Sequence, residues 1–241
     1  MNKFTLALIL LAFSNIILAQ DSPIFTDRPN VTDAVPLISP GTFQVELGYT
    51  NTTQNARVDD IKSQTIPNLS VKYGLFDWLE LRMLTNYLVF NFQGLDAHGV
   101  TPLIFSPKFR LLEQNGAIPR TSLVTNVTIP NIGAKAFQAD EFGYNLVLLF
   151  EYGFNQFTWS NSFSSNLSFT TVGGYAITNK FGAFLEFYGS FKNDRGGLNT
   201  DFGLSYLLAQ NFQVDVIYGT GFVDDFRMFG FGCAWKTNFR E

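Results

Sequence analysis

From Gly41 onward, apolar residues recur at every second position through most of the chain. Between Asn179 and Gly219 the pattern is cleanest. Phe181, Ala183, Leu185 and Phe187 alternate with Gly182, Phe184, Glu186 and Tyr188. Phe202, Leu204, Tyr206 and Leu208 alternate with Asp201, Gly203 and Ser205, and Phe212, Val214, Val216 and Tyr218 with Gln213 and Asp215. A period of two predicts half-buried strands. A break as short as Ala209-Gln210-Asn211 allows only antiparallel neighbours. The same alternation runs through 43–49, 69–73, 79–87, 103–111, 123–129, 142–152, 157–163, 167–177 and 229–235, which makes about twelve strands.

The connections predicted between these strands alternate in length. Tight ones fall at Gly74–Asp77, Gly153–Gln156, Thr178–Lys180 and Ala209–Asn211; longer polar ones at Thr53–Lys62, Asn91–Thr101, Asn131–Asp140 and Asn193–Thr200. An even strand number with short turns at one end and longer loops at the other is the pattern of an outer-membrane barrel.

The placement of charge gives that pattern an energetic cause. Glu46, Lys72, Glu80, Arg82, Lys108, Arg110, Glu151, Glu186, Asp201 and Asp215 all fall on the face opposite the apolar stripe. On the lipid face of such a barrel a midplane charge costs about 2–4 kcal/mol. An open sheet edge in hydrocarbon would leave backbone groups unpaired, so the sheet must close. The apolar stripes end in Tyr49, Tyr87, Tyr144 and Tyr218 at one rim and Tyr73, Tyr152, Tyr175, Tyr206 and Trp235 at the other. Rings with a polar tip suit headgroup depth. Asn161, between Trp159 and Phe163, breaks the stripe. The fold class expected is therefore all-β: a transmembrane antiparallel up-and-down β-barrel of about 12 strands.

Composition agrees. Charged residues make up 15% of the 241 and aromatics 16%, 27 of them phenylalanine, whereas a soluble sandwich needs charged outer faces. Lys3, the apolar run from Phe4 to Phe13 and the stretch to Ala19 read as a signal peptide (1–19), cleaved after Ala19. Residues 20–40 carry four prolines and neither periodicity, and are expected as an extended periplasmic segment ahead of a barrel over 41–241. Once Lys3 is removed, 15 basic residues face 20 acidic ones, which gives no case for nucleic acid.

The stretches FTDRPNVTDAV (25–35), PGTFQVELGY (40–49), VGGYAITNKFGAFLEFYG (172–189) and DFGLSYLLAQNFQVDVIYGTGF (201–222) resemble a family of bacterial outer-membrane proteins named for the meta-pathway of phenol degradation and often labelled transporters. Together with the closing glycine-aromatic strand, the likeness covers most of the chain after the signal peptide. Where the family often has an acid after the Arg-Pro pair, this chain has Asn30. The resemblance implies a barrel in the outer membrane of a Gram-negative bacterium that takes part in uptake of small, aromatic compounds.

Catalytic chemistry has little to work with. His98 is the sole histidine, within QGLDAHGVT and with no serine beside it, and Cys233 is the sole cysteine. A nucleophile with its base and a transition-metal site are both disfavoured, so no catalytic residue, metal or cofactor is expected. The candidate residues are instead the lumen set Glu46, Glu80, Arg82, Lys108, Arg110, Glu151, Glu186, Asp201 and Asp215. With a loop centred near Leu95, Arg82 would face Lys108 and Glu80 would face Arg110, as a selective constriction or as a self-neutralising network. Glu186, Asp201 and Asp215 lack an equal basic complement. Asp27, Arg28 and Pro29 mark the N-terminal segment. Either Arg28 enters the periplasmic mouth and pairs with one of those acids as a plug, or the segment is a plain tether, the reading the sequence favours. The function expected is a channel or transporter for small solutes, hydrophobic or aromatic compounds among them. Its partners would be outer-membrane lipids, the solute, and the barrel-assembly machinery during insertion. A membrane-embedded enzyme acting on lipid and a structural barrel with a closed lumen are the alternatives. The oligomeric state is left open.

Overall fold

The computed structural model describes residues 24–55, 60–191, 197–222 and 225–239; the expected signal peptide lies outside them. Fourteen strand segments follow the N-terminal stretch: β1 (Thr42–Asn55), β2 (Asp60–Phe76), β3 (Leu79–Phe92), β4 (Leu95–Val100), β5 (Ile104–Phe105), β6 (Lys108–Leu112), β7 (Arg120–Thr128), β8 (Gly143–Phe154), β9 (Phe157–Ser164), β10 (Ser168–Ala176), β11 (Phe181–Ser190), β12 (Leu198–Ala209), β13 (Phe212–Gly221) and β14 (Phe226–Asn238). β4, β5 and β6 all pair with β3, and β5 and β6 also pair with β7, so the three are pieces of one interrupted stave. Pro102 and Pro107, which cannot donate to a ladder, stand at its two breaks. The wall thus has twelve antiparallel staves. It closes where β1 pairs β14, from Thr42↔Asn238 to Gln54↔Phe226.

Both ends of the wall, Thr42 and Asn238, share a rim with the tight turns at 77–78, 155–156 and 210–211. By the usual rule for such barrels this is the periplasmic rim. At the opposite rim, the stretch 91–101 expected as a long loop is instead a hairpin. Strands β3 and β4 meet at Gln93-Gly94, both left-handed (φ 53° and 77°), the geometry of a two-residue primed turn.

The molecule is inverted relative to a water-soluble protein. Leu47, Met83, Phe105, Leu146, Phe163, Leu185, Phe202, Tyr218 and Phe231 are exposed on the outside, while Gln44, Glu46, Lys72, Glu80, Arg82, Lys108 and Glu186 are at most 1% exposed inside. Such a continuous apolar exterior marks a lipid contact. Aromatic stacks stand at the periplasmic rim: Trp78 lies between Phe76 and Phe109, and Tyr152 between Phe154 and Trp159. Asn161 keeps the outward register of Trp159 and Phe163. It sits opposite Thr171, whose hydroxyl accepts from the Trp159 indole N–H at 3.0 Å, so this spot on the outer wall is polar without any shift of register.

Candidate functional site: the lumen and its N-terminal segment

Residues 24–40 thread the barrel interior, which corrects the expectation of an extended segment tethering the barrel from outside. Backbone polar groups cut off from water need partners, and inward-facing side chains from around the wall supply them. The Ile38 N–H donates to Glu80 on β3 at 2.8 Å. The Val35 carbonyl accepts from Ser122 on β7 and the Ala34 carbonyl from Lys108 on β6, both at 2.8 Å. Val31 and Thr32 donate backbone N–H groups to Glu186 on β11 at 2.7 and 2.8 Å, and the Thr32 hydroxyl contacts both Glu186 and Thr170 on β10. The Phe25 carbonyl accepts from Gln44 on β1 at 2.7 Å, and Gln213 on β13 donates to the Thr26 hydroxyl at 3.1 Å. A segment gripped from β1, β3, β6, β7, β10, β11 and β13 can only be inside. Val35 completes its seat by packing on Val124 and Leu149, an apolar cluster within the lumen.

Ionic contacts fix the centre. Asp27 lies 2.6 Å from Lys72 and 2.9 Å from Arg82, and Arg82 also meets Asp33 at 3.0 Å. Lys72 meets Glu46 at 2.5 Å, and Lys108 meets Glu80 at 3.4 Å. Burial alone would push the Asp27 carboxyl up. The charges of Lys72, Arg82 and Lys108 more than reverse this and hold it well below the usual carboxylate range. The other Asp27 oxygen accepts the Ala34 N–H at 3.0 Å, tying the two ends of the 27–34 loop together. Arg28 reaches Asp215 at 3.3 Å. Its guanidinium lies against the backbone of Gly48 and Gly232, register partners on β1 and β14, where an added Cβ would come within 2.1 and 2.4 Å of it. The two glycines leave the slot that Arg28 fills.

The expected residues are thus drawn together unevenly. Glu46, Glu80, Arg82 and Lys108 join one network with Asp27. Glu186 holds the loop through Val31 and Thr32, and Asp215 pairs with Arg28, the plug geometry that the tether reading set aside. Asp201 stands directly opposite Glu186 across the β11–β12 ladder, 2% exposed, and the two carboxyl groups are hydrogen-bonded to each other. Pro29 lines a cavity beside the loop. Glu151 pairs with Arg120 at 2.7 Å, and Arg110 with Glu113 at 2.8 Å towards the periplasmic rim. The expected cross-strand pairs Arg82/Lys108 and Glu80/Arg110 do not form. The two-residue turn at Gln93-Gly94 and a one-residue shift in register between β4 and β5 together bring Glu80 opposite Lys108, and Arg82 turns instead to Asp27, Asp33 and Ser106. His98 is exposed on β4, opposite Val89. Asp33, Thr32, Gln44, Thr170, Arg120 and the Gly48–Gly232 slot were not among the candidates. For Gln44 and the two glycines the signal was present, since each holds an inward position of its strand.

Residues 26–237 match the model of the family described as "Putative MetA-pathway of phenol degradation". The chain belongs to that family. Among solved structures it is similar to an outer membrane channel from Pseudomonas putida F1, with a TM-score of 0.60 at 13% identity over 85% of this chain and 98% of that one. It is also similar to the NanC porin, with a TM-score of 0.51 at 10% identity over 78% of this chain and 98% of the porin. At these identities the likeness establishes the outer-membrane barrel fold. No curated protein sequence matches.

Proposed function

We propose that the protein is a passive, non-catalytic outer-membrane channel for small solutes, with residues 24–40 seated in the lumen as its plug. The observation that carries the reading is the pairing of Asp27, Arg28 and Asp33 with Lys72, Arg82 and Asp215 inside an apolar-jacketed barrel. Burying this many charges is costly unless each is paired. A closed structural barrel could fill its lumen with apolar side chains instead. The wall above the plug carries Leu84, Leu88, Ile217 and Met228 at inward positions, and the exposed Val31 side chain belongs to the same segment. Such a lining suits the hydrophobic or aromatic compounds that the family's name evokes.

The test is liposome swelling, with planar-bilayer recording beside it, on the intact protein and on a variant lacking residues 24–40. Passage of small aromatic solutes, with a larger unitary conductance in the deletion, is expected. A correctly folded deletion variant that conducts no more than the parent refutes the plug.

A further inference from the structure

The loop divides the lumen unequally. Towards β1–β7 the interior is filled by the ion pairs of Asp27, Asp33, Glu46, Lys72, Glu80, Arg82 and Lys108 and by the chain itself. Towards β8–β12 a cavity of about 340 Å³ lies beside residues 26–34, lined by Thr158, Ser160, Gly174, Gly182, Ser205 and Gln213 among others. A second cavity of about 380 Å³, at the periplasmic mouth beside Lys180 and Gln210, shares Gly182, Ser205 and Gln213 with it. The two form a corridor that leads from the periplasmic rim to the underside of the loop. Small side chains keep it open: a Cβ on Gly174 would meet the Thr158 hydroxyl at 2.6 Å, and one on Gly182 the Ser205 hydroxyl at 2.9 Å. At its inner end sits Thr32, clasped together with Val31 on Glu186.

We propose that this corridor is the solute path, and that it takes neutral, hydrogen-bonding molecules of about one substituted aromatic ring. The inference rests on the channel reading and assigns its route and solute class. Size follows from volume: a cavity of about 150 Å³ accepts benzene, so 340 Å³ admits a single ring with substituents. Polarity follows from chemistry. Hydroxyls and amides are spread along both walls, and the charges that touch the inner cavity are engaged, Glu151 with Arg120, Arg28 with Asp215 and Asp33 with Arg82. Past Lys180 at the mouth, an ion finds the charges of the inner cavity already paired, whereas a neutral donor or acceptor finds partners on both walls. The clasp at the inner end holds the loop by hydrogen bonds, two backbone N–H groups and the Thr32 hydroxyl on one carboxylate. No ion pair to Glu186 is among the described contacts, and the residue facing it across the ladder is Asp201. Displacing residues 29–33 from Glu186 joins the corridor to the upper lumen while the ion pairs of Asp27 stay in place.

Cysteine accessibility in proteoliposomes tests this without requiring transport. In a Cys233→Ser background, Ser205→Cys and Thr158→Cys report on the corridor and Ser70→Cys on the filled side. Neutral hydroxyethyl methanethiosulfonate is expected to modify the two corridor positions at least tenfold faster than the sulfonated or trimethylammonium reagents. Ser70→Cys, 4% exposed in the parent, is expected to resist all three. Modification at position 205 should lower the unitary conductance, and Glu186→Gln should raise it. Resistance at 205 and 158, or reactivity at 70 equal to theirs, overturns the route; equal rates for neutral and charged reagents overturn the solute class. A protein that labels as expected yet passes no solute keeps the corridor and refutes the channel. Heat-modifiable migration on gels confirms that each variant is a folded barrel.

Discussion

Replacing Asp27 with Asn should loosen the N-terminal segment without harming the barrel. Asp27 belongs to the loop, and the wall's backbone ladder does not depend on it. The substitution keeps the shape and the Oδ1 acceptor for the Ala34 N–H. It removes the negative charge that Lys72 and Arg82 share at 2.6 and 2.9 Å. Stripping one partner from a buried ion pair costs about 3–5 kcal/mol. Lys72 keeps Glu46 at 2.5 Å and Arg82 keeps Asp33 at 3.0 Å, which argues for the low end of that range. At about 1.4 kcal/mol per tenfold, a loss of ~3 kcal/mol shifts the docked-to-undocked ratio by more than 100-fold. Hydrogen exchange reads that ratio, because the amides of Val31, Thr32, Ala34 and Ile38 are each bonded to a carboxylate in the docked state. Mass spectrometry of the detergent-solubilised protein should show protection over 31–38 falling about 100-fold, with β1 to β14 unchanged. Undiminished protection in that stretch would mean that the ion pairs do not hold the segment, and the energetic account of the plug fails.

Three further outcomes follow from the same contacts. Gly48→Ala or Gly232→Ala should expel the Arg28 guanidinium, since the added methyl falls within 2.4 Å of it; the resulting rise in conductance should vanish when either is combined with Arg28→Ala, and additive effects would refute the shared slot. The Asp27 carboxyl titrates below its unfolded value of 3.8, so its contribution is complete above that pH and is lost only as pH falls through the lower, folded value; protection of the Ala34 amide, which Asp27 accepts, should therefore persist at pH 4–5, and its loss at pH 5 would contradict this. Leu185→Arg, on the outer wall at 48% exposure, should destabilise the barrel by about 2–4 kcal/mol in denaturant titrations in lipid, and a neutral result would mean that this position does not face hydrocarbon.

The wall was legible in the sequence because a membrane strand is specified one residue at a time: the two faces meet different solvents, and alternation records which is which. Glu46, Glu186 and Asp215 could be assigned inward from parity alone. What they touch could not, because the N-terminal segment has no periodicity, and its path is set by carboxylates, hydroxyls, amides and cations contributed from many staves at long sequence separation. The excess of acid over base at Glu186, Asp201 and Asp215 was the one sequence signal of a missing partner. It pointed to Arg28, which does pair with Asp215. Glu186 is satisfied differently, by two backbone N–H groups and a hydroxyl, donors that no count of charged residues registers. The misassigned ladder between β3 and β6 has a comparable origin. Parity survives any even slip in register, so the facing of Glu80, Arg82 and Lys108 was secure, whereas their pairing hung on the length of one turn and on a one-residue shift beyond it. The two-residue turn at Gln93-Gly94 and the one-residue shift between β4 and β5 together moved Lys108 from Arg82 to Glu80 and freed Arg82 to hold the plug.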